Sequence, residues 1–225
     1  MMLFLLYCLL FYFGASLASG LFLCAERLAN KQSVIRPRSH CVSCQHLLPW
    51  WQLFPLFSYL GLHRRCYYCQ APISMATWWA EIIGGGLAIF IWLTTSTTSE
   101  LLSTGWLFTG LFLFSWIDIQ QQILLPQLFI PWLLTLLLLQ ATTPHLLAAI
   151  LLTCCLGLFA YYSHGLGSGD VELLAGLTLL YGLSVSSRIL LYGCLLALLG
   201  YPLLRKPRLP FIPYLSLGVW LYYLI

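Results

Sequence analysis

Two aspartates are the residues of this sequence best suited to catalysis. Asp118 and Asp170 are the only aspartates in the chain, and each adjoins a long apolar stretch. An ionisable group beside such stretches is costly to keep charged and marks a functional site by default. Two carboxyl groups that share one proton can divide the work of peptide hydrolysis. The ionised one activates water, and the protonated one donates to the carbonyl oxygen or the leaving amine.

Glycines precede the second aspartate, in Gly167-Ser168-Gly169-Asp170. Glycine adopts φ values that other residues avoid and lets a substrate backbone approach closely. We expect both properties from Gly167 and Gly169. Asp170 is then expected to begin a helix, where the helix dipole favours its anion. The simpler alternative is that Asp118 and Asp170 only cap helices or lie at a membrane interface.

Four cysteines form two Cys-x-x-Cys pairs with 21 residues between them. Two such pairs make a tetrahedral thiolate cage for zinc, although this gap is slightly longer than usual. The segment is too short and polar to build its own core, so a metal would supply folding energy. A redox dithiol is the alternative, but it needs only one pair. Three nearby histidines are substitute ligands or, more simply, surface residues. The cysteines are Cys41, Cys44, Cys66 and Cys69, and the histidines are His40, His46 and His63.

The composition indicates a polytopic integral membrane protein. The chain is 61% hydrophobic and 7% charged, against about 25% charged in soluble domains. Because so few charges cannot cover a water-exposed surface, we expect lipid to surround most of the protein. No basic stripe interleaved with aromatic residues suggests a nucleic-acid partner.

About eight transmembrane helices are predicted, because only helices or closed barrels satisfy their backbone in lipid. Residues 15–19 resemble a signal-peptide cleavage site, but no positive charge precedes the apolar run. We therefore expect a retained first span, in which Gly14 and Ala18 allow close helix packing. The predicted spans are 3–25, 75–95, 101–117, 124–140, 146–163, 171–185, 188–204 and 209–225.

The distribution of basic residues predicts how the chain is oriented in the membrane. The predicted spans divide the chain into three parts. These parts are the first transmembrane helix (1–25), a cytoplasmic four-cysteine domain (26–74) and a membrane domain of about seven helices (75–225). Cytoplasmic loops collect Lys and Arg. With both termini outside, nine of the ten basic residues lie inside and only Arg188 lies outside. Both aspartates then lie at the cytoplasmic boundary of the membrane.

The sequence resembles the prepilin leader peptidases of type IV pilus, secretion and competence systems over about residues 14–180. Asp118 with Leu125-Pro126 resembles the first catalytic site of that family, and Gly167–Asp170 resembles the second. Glu81 falls where the family carries a glutamate that enters the second span. The remaining similar residues are Glu26-Arg27-Leu28, Pro37-Arg38-Ser39-His40-Cys41, Cys44, Leu48-Pro49-Trp50-Trp51, Pro55-Leu56-Phe57-Ser58-Tyr59-Leu60, Cys66 and Cys69.

The resemblance implies a bacterial cytoplasmic-membrane enzyme that cleaves the short basic leader of prepilin or pseudopilin substrates. Many members of the family then methylate the new N-terminus with S-adenosylmethionine, and Glu26 and Glu81 are candidates for that step. Three positions depart from the family pattern without touching the aspartates. They are Cys24, Gln127 and Glu172, and they bear on methylation and substrate preference more than on proteolysis.

Three other classes of membrane protein carry some of these sequence features. Presenilin-like and signal-peptide-peptidase-like proteases carry the Gly-x-Gly-Asp motif but lack the four-cysteine domain. A proton-coupled transporter would use Asp118, Asp170 and Glu81 as an ion pathway, and it would be expected to show inverted repeats or broken helices. A membrane thiol oxidoreductase would carry its cysteines on the outer face or near a quinone.

Overall fold

Helices are the main secondary structure of the part of the chain that the structure describes. The computed structural model describes residues 1–36, 38–140, 143–163, 165–204 and 209–225, so that Pro37 and the basic cluster at 205–208 lie outside it. Two isolated β-bridges are the only strand pairing among the described residues. The α-helices are α1 (Met2–Ala29), α2 (Phe57–Gly61), α3 (Met75–Thr94), α4 (Thr98–Gln121), α5 (Pro126–Gln140), α6 (Leu146–Ser163), α7 (Ser168–Leu204) and α8 (Ile212–Leu224), and Trp50–Leu53 form a 3₁₀ helix.

Five helices are long and apolar enough to cross a membrane, namely α1, α3, α4, α6 and α7. Two more, α5 and α8, are apolar but shorter. The predicted class, an all-α polytopic membrane protein, is confirmed. The number of eight crossings stays a prediction. The chain divides into two compact units, Met1–Leu93 and Thr94–Ile225.

In the first unit, α1 and α3 pack through small residues. An added Cβ at Gly84 would collide with the Ala18 side chain and lie 2.7 Å from the Gly14 carbonyl oxygen, and one at Gly85 would lie 2.6 Å from the Phe11 ring. Side chains at these positions would therefore force the two helices apart. The predicted close packing at Gly14 and Ala18 is confirmed.

In the second unit, α4 packs against α5 and α8. The Trp132 indole N–H of α5 donates to the Trp106 carbonyl of α4 at 3.0 Å. The Ser115 hydroxyl of α4 lies 2.9 Å from the Ser216 hydroxyl of α8. An earlier residue of α4, Phe108, meets Tyr223 near the end of α8. Helices α4 and α8 are therefore antiparallel, and the end of α4 lies beside the beginning of α8.

Helix α7 breaks at Gly182, which has φ 78° and ψ 173°. This conformation is closed to residues with a side chain. The break frees a carbonyl, and the backbone N–H of His145 donates to the Leu179 carbonyl at 3.0 Å. Just before the break, the Tyr181 hydroxyl lies 3.2 Å from the Tyr223 hydroxyl. Gly182 therefore lies near the C-terminal end of α8.

Both ends of α7 lie at the other end of α8. Gly200 packs against the Tyr214 ring, in the first turn of α8. Asp170, at the start of α7, interacts electrostatically with Asp118, whose carboxylate bonds the N–H of Ile212. The two halves of α7 are therefore antiparallel, and they correspond to the predicted sixth and seventh spans.

The predicted connection between those two spans, residues 186–187, was misplaced. Both residues of that connection are serines that lie within the second half of α7, after the break at Gly182. The Ser186 hydroxyl donates to the Gly182 carbonyl at 2.9 Å, and the Ser187 hydroxyl donates to the Ser184 carbonyl at 3.0 Å. Serine can occupy an apolar helix because its hydroxyl bonds back to the preceding turn.

Three consecutive glycines in α3 allow a matched test of the packing of α1 on α3. Gly84→Leu is expected to lower stability by about 1–3 kcal/mol, because the new side chain meets α1. Gly86→Leu is the control, because nothing lies within 4 Å of the position where its Cβ would be placed. Thermal unfolding of the purified variants in detergent measures the difference. Equal melting temperatures for the two variants would contradict this packing.

Candidate active site and metal centre

Asp118 lies in the last turn of α4 and is 5% exposed. Its Oδ2 accepts a hydrogen bond of 3.1 Å from the backbone N–H of Ile212, and the N–H of Phe211 also bonds the carboxylate. These donors belong to the start of α8, where N–H groups lack partners inside the helix. A helix N-terminus is a favourable site for an anion. The burial of Asp118 is therefore compensated by the beginning of α8.

Asp170 lies in the first turn of α7 and is half-buried. Its Oδ2 accepts a hydrogen bond of 3.3 Å from the backbone N–H of Gly167. The carboxylate also interacts electrostatically with that of Asp118. Each carboxylate thus comes from a different helix, and both lie at the end of the second unit where α8 begins.

The two motif glycines allow close contacts. A Cβ at Gly167 would lie 3.1 Å from Oδ2 of Asp170, and one at Gly169 would lie 2.8 Å from the Leu124 Cβ. Neither glycine has a positive φ, and Gly182 is the only glycine that does among the described residues. The expectation of unusual φ values at Gly167 and Gly169 was therefore wrong. The two positions favour glycine because a side chain there would crowd Asp170 or Leu124.

The contact at Gly169 depends on how α4 ends. Gln122 adopts a left-handed conformation, with φ 55° and ψ 41°, and its N–H donates to the Asp118 carbonyl. This cap turns the chain immediately after Asp118. Leu124 then lies against the first turn of α7, so the segment that follows one aspartate packs beside the other.

The four paired cysteines converge in the first unit. Their sulfur atoms all lie within 4.8 Å of one another, and the Sγ atoms of Cys41 and Cys69 are 3.8 Å apart. Zinc–thiolate bonds of about 2.3 Å give a tetrahedral cage an edge of about 3.8 Å. The donor set and its spacing therefore fit a zinc ion.

The two Cys-x-x-Cys pairs have the same backbone structure, 25 residues apart along the chain. The N–H of Cys41 donates to the His46 carbonyl and that of Cys66 to the Ala71 carbonyl, at 3.0 Å and 2.8 Å. The glutamine after each pair has φ 58°. The repeated Cys-x-x-Cys-Gln pattern was the available signal for this duplication, and the sequence reasoning missed it. Cysteine sulfurs at the two turns face a common point.

The thiols share their protons unequally. The backbone N–H of Cys44 is the main cause that lowers the pKa of Cys41 to about 6. At Cys69 the N–H of Ala71 acts in the same direction, but burial and hydrogen bonds with the other thiols raise its pKa to about 11. Thiolate character at the first ligand favours metal capture, because the thiolate is the metal-binding form.

The three histidines do not join the cysteine cluster. The Nδ1 of His40 lies 2.9 Å from the Arg38 carbonyl oxygen, and the His46 ring packs on Tyr68 with centroids 3.6 Å apart. His63 lies in a turn with φ 52°. Among the residues that the structure describes, the four cysteine sulfurs form the candidate metal site.

Glu81 and Glu26 occupy different surroundings in the first unit. Glu81 is 6% exposed, and its two oxygens accept hydrogen bonds from the Ser19 hydroxyl at 2.8 Å and the Leu56 N–H at 2.7 Å. Glu26 is half-buried two helical turns after Ser19. The neighbouring Arg27 is buried and donates to the carbonyls of Ser33 and Val34. Glu81 therefore joins three parts of the unit.

Two buried polar side chains of the first unit, Gln52 and Tyr59, were not assigned a role by the sequence analysis. Neither end of the Gln52 amide, nor the Tyr59 hydroxyl, has a hydrogen-bond partner within the described structure. Tyr59 stacks on Trp78, one helical turn before Glu81, with ring centroids 6.0 Å apart. Buried polar groups of this kind normally bond water, an ion or a ligand.

Comparison with known proteins assigns two successive parts of the chain to related peptidase domains. Residues 12–95 match the Bacterial Peptidase A24 N-terminal domain, and residues 105–201 match the Type IV leader peptidase family. No solved structure matches the chain.

Several relatives bear the name Prepilin leader peptidase/N-methyltransferase, and three of them illustrate the similarity. That of Burkholderia pseudomallei (strain 1026b) is 30% identical over 215 residues, which is 87% of this chain and 70% of the relative. That of Aeromonas hydrophila is 31% identical over 209 residues, or 82% and 70% of the two chains. That of Myxococcus xanthus is 33% identical over 152 residues, or 68% of this chain but 42% of the relative. The chain belongs to the type IV leader peptidase family and is a prepilin peptidase.

Proposed function

We propose that the chain hydrolyses the leader of prepilin or pseudopilin substrates with Asp118 and Asp170 acting as one catalytic pair. The observation that carries this proposal is the convergence of the only two aspartates of the chain, from different helices, at one end of the second unit. Relatives named as prepilin leader peptidases support the substrate class. An ion transporter and a thiol oxidoreductase have no comparable support.

The hydrogen bonds suggest how the pair divides the reaction. Asp118 accepts two backbone N–H groups from the start of α8, and hydrogen bonds of this kind favour the ionised form of a carboxyl group. Asp118 is therefore assigned as the base that takes a proton from water. Asp170 then carries the shared proton and donates it to the carbonyl oxygen, and the water oxygen bonds the carbonyl carbon. Collapse of this adduct breaks the C–N bond: Asp118 passes the proton that it took from water to the leaving amine, and one hydroxyl of the adduct returns a proton to Asp170.

We propose that the pair faces the cytoplasm, with both termini of the chain outside. Nine of the ten basic residues lie on the cytoplasmic side in this arrangement, which follows the tendency of cytoplasmic loops to collect Lys and Arg. Asp118 ends α4 and Asp170 begins α7, so both belong to the same side of the membrane. The enzyme would then act on leaders that remain inside the cell.

Asp118→Asn and Asp170→Asn are each expected to reduce leader cleavage by at least about 10²–10⁴-fold, because each removes one partner of the proton transfer. The measurement is the mobility shift of a co-expressed prepilin. Glu172→Gln is the matched control, because it removes an exposed carboxylate from the same turn of α7. Near-normal cleavage by either asparagine variant, with wild-type protein levels, would refute the pair.

We also propose that Cys41, Cys44, Cys66 and Cys69 hold a structural zinc ion. The support is the 3.8 Å separation of the Cys41 and Cys69 sulfurs and the all-thiolate donor set. A closed site of four protein ligands leaves no position for substrate, so such a zinc stabilises the fold. The zinc would therefore fix the two cysteine turns and take no part in hydrolysis.

Purified protein is expected to contain about one zinc per chain, measured by elemental analysis. Cys69→Ser should empty or weaken the site because it leaves three ligands. Cys154→Ser should retain the metal, because Cys154, exposed on α6, is not one of the four clustered cysteines. Protein that contains no zinc when freshly purified without chelators would contradict the proposal.

We propose a second activity, methylation of the new N-terminal amine of the cleaved substrate. Support comes from the names of the relatives and from the buried polar atoms of Gln52 and Tyr59, which could bond a polar ligand. S-adenosylmethionine, when bound, supplies the methyl group. Glu26 and Glu81 are the carboxylates of the first unit available to bind or deprotonate the amine. Glu81 already accepts two hydrogen bonds, so Glu26 is the better candidate for direct contact.

The mature substrate is expected to gain about 14 Da at its N-terminus when it is processed with S-adenosylmethionine, because one methyl group replaces one hydrogen. Glu26→Gln should reduce this gain while leader cleavage continues. Mass spectrometry of the N-terminal peptide reads both reactions in one sample. An unmodified amine from the wild-type enzyme, with complete cleavage and excess cofactor, would contradict the second activity.

A further inference from the structure

Residues 50–61, here called the aromatic segment, have the reverse of the burial pattern found in a loop that meets water. Its buried side chains include the polar Gln52 and Tyr59, each 6% exposed. Its exposed side chains are large and apolar. They are Trp50, Trp51, Leu53, Phe54, Phe57 and Leu60, between 41% and 72% exposed. A contiguous apolar surface of this kind marks contact with a second apolar phase.

Hydrogen bonds to Glu81 place the middle of this segment beside the membrane-spanning parts of α1 and α3. The Leu56 N–H and the Ser19 hydroxyl donate to the two oxygens of Glu81. Ser19 lies seven residues before Glu26, the first charge in α1, and Glu81 lies six residues after Met75, where α3 begins. At 1.5 Å per residue, both distances are about 9–10 Å along the helices. Measured from Glu26 along α1 or from Met75 along α3, Leu56 therefore lies at about the same depth.

A ring contact places another part of the aromatic segment deeper. The rings of Phe54 and Tyr12 have centroids 6.3 Å apart. Tyr12 lies 14 residues before Glu26 in a stretch without charge, which is about 21 Å along α1. The hydrocarbon core of a bilayer is about 30 Å thick. Phe54 therefore lies at the level of acyl chains if α1 crosses the membrane.

Hydrogen bonds fix the turn in the middle of the segment. Leu56 is the centre of a tight turn with φ 61° and ψ −48°, closed by a bond of 2.6 Å from the Phe57 N–H to the Pro55 carbonyl. Such a conformation costs about 1–3 kcal/mol and persists only where its surroundings fix it. The bond from Leu56 to Glu81 supplies that constraint. Non-helical backbone is tolerated at membrane depth only when protein groups satisfy it.

We infer that the aromatic segment is a re-entrant element whose exposed side contacts lipid acyl chains. Its polar side faces protein, and Glu81 anchors the turn at Leu56. An open apolar cavity of about 320 Å³, lined by residues that include Trp51 and Phe57, lies on the exposed side. The region between α1 and α3 thus combines the cysteine turns with a membrane-embedded segment. This inference depends on the membrane position of α1 and is independent of the catalytic pair.

Labelling of two similarly exposed positions tests the inference. Phe57 is 71% exposed and Val42, between two of the cysteines, is 87% exposed, so without a membrane both would react. Each is replaced by azidophenylalanine in the full chain, and inverted membrane vesicles are treated with a charged cyclooctyne. Position 57 should react at least about tenfold more slowly than position 42, because a charged reagent does not enter hydrocarbon. Equal rates in vesicles would overturn the inference.

A second measurement distinguishes lipid from a covering protein. A fluorescent amino acid is placed at the same two positions, and the purified protein is reconstituted with phosphatidylcholine brominated in the acyl chains. Quenching at position 57 but not at position 42 supports lipid contact. Protection from labelling without quenching means that protein covers the segment, and it overturns the inference. Leu60, 59% exposed, carries the same probes should the Phe57 variants fail to fold with bound zinc.

Discussion

The hydrogen bonds between the Asp118 carboxylate and the first N–H groups of α8 are the interaction on which the second unit depends. A carboxylate that is 5% exposed within an apolar helix bundle needs donors, and a helix start has N–H groups that need acceptors. Each group removes the cost of burying the other. The same bond brings the end of α4 to the start of α8. It therefore sets the position at which a second carboxylate can meet the first.

The location of Asp170 follows from backbone geometry around that point. The left-handed cap at Gln122 turns the chain after Asp118 and brings Leu124 to Gly169. The break at Gly182 then reverses α7, so that α8 packs against both halves of one element. A side chain at either glycine would move α7 relative to its neighbours. The close approach of two acidic groups, which is unfavourable by itself, is thus imposed by packing.

The first unit shows the same dependence of buried polar groups on specific partners. Glu81 is acceptable within α3 because Ser19 and Leu56 both donate to it. Four thiols at two similar turns form a donor set, and the zinc ion proposed for it would supply stability that apolar burial does not. The apolar residues of the aromatic segment are left free to face outward. Polar contacts organise this unit, whereas apolar side chains cover its surface.

The sequence was sufficient for features that depend on residue type and local spacing. The apolar runs predicted the helices, and the Cys-x-x-Cys pairs predicted which sulfurs meet. The donors to Asp118 were not predictable, because Phe211 and Ile212 act through backbone N–H groups that carry no sequence signal. The role of Gly169 depends on contact with Leu124, 45 residues away. The break at Gly182 was predicted about four residues too late, at 186–187, where two serine hydroxyls bond within the helix.

The pH dependence of leader cleavage tests the central claim, that two carboxyl groups act as one pair with a single shared proton. The measurement is kcat/KM for a purified prepilin over the range in which the enzyme stays folded, monitored by its zinc content and unfolding temperature. The account predicts a bell-shaped profile, because one aspartate must be ionised and the other protonated, with two apparent pKa values that belong to the pair. A rate that rises with pH to a plateau and shows no alkaline limb would contradict it.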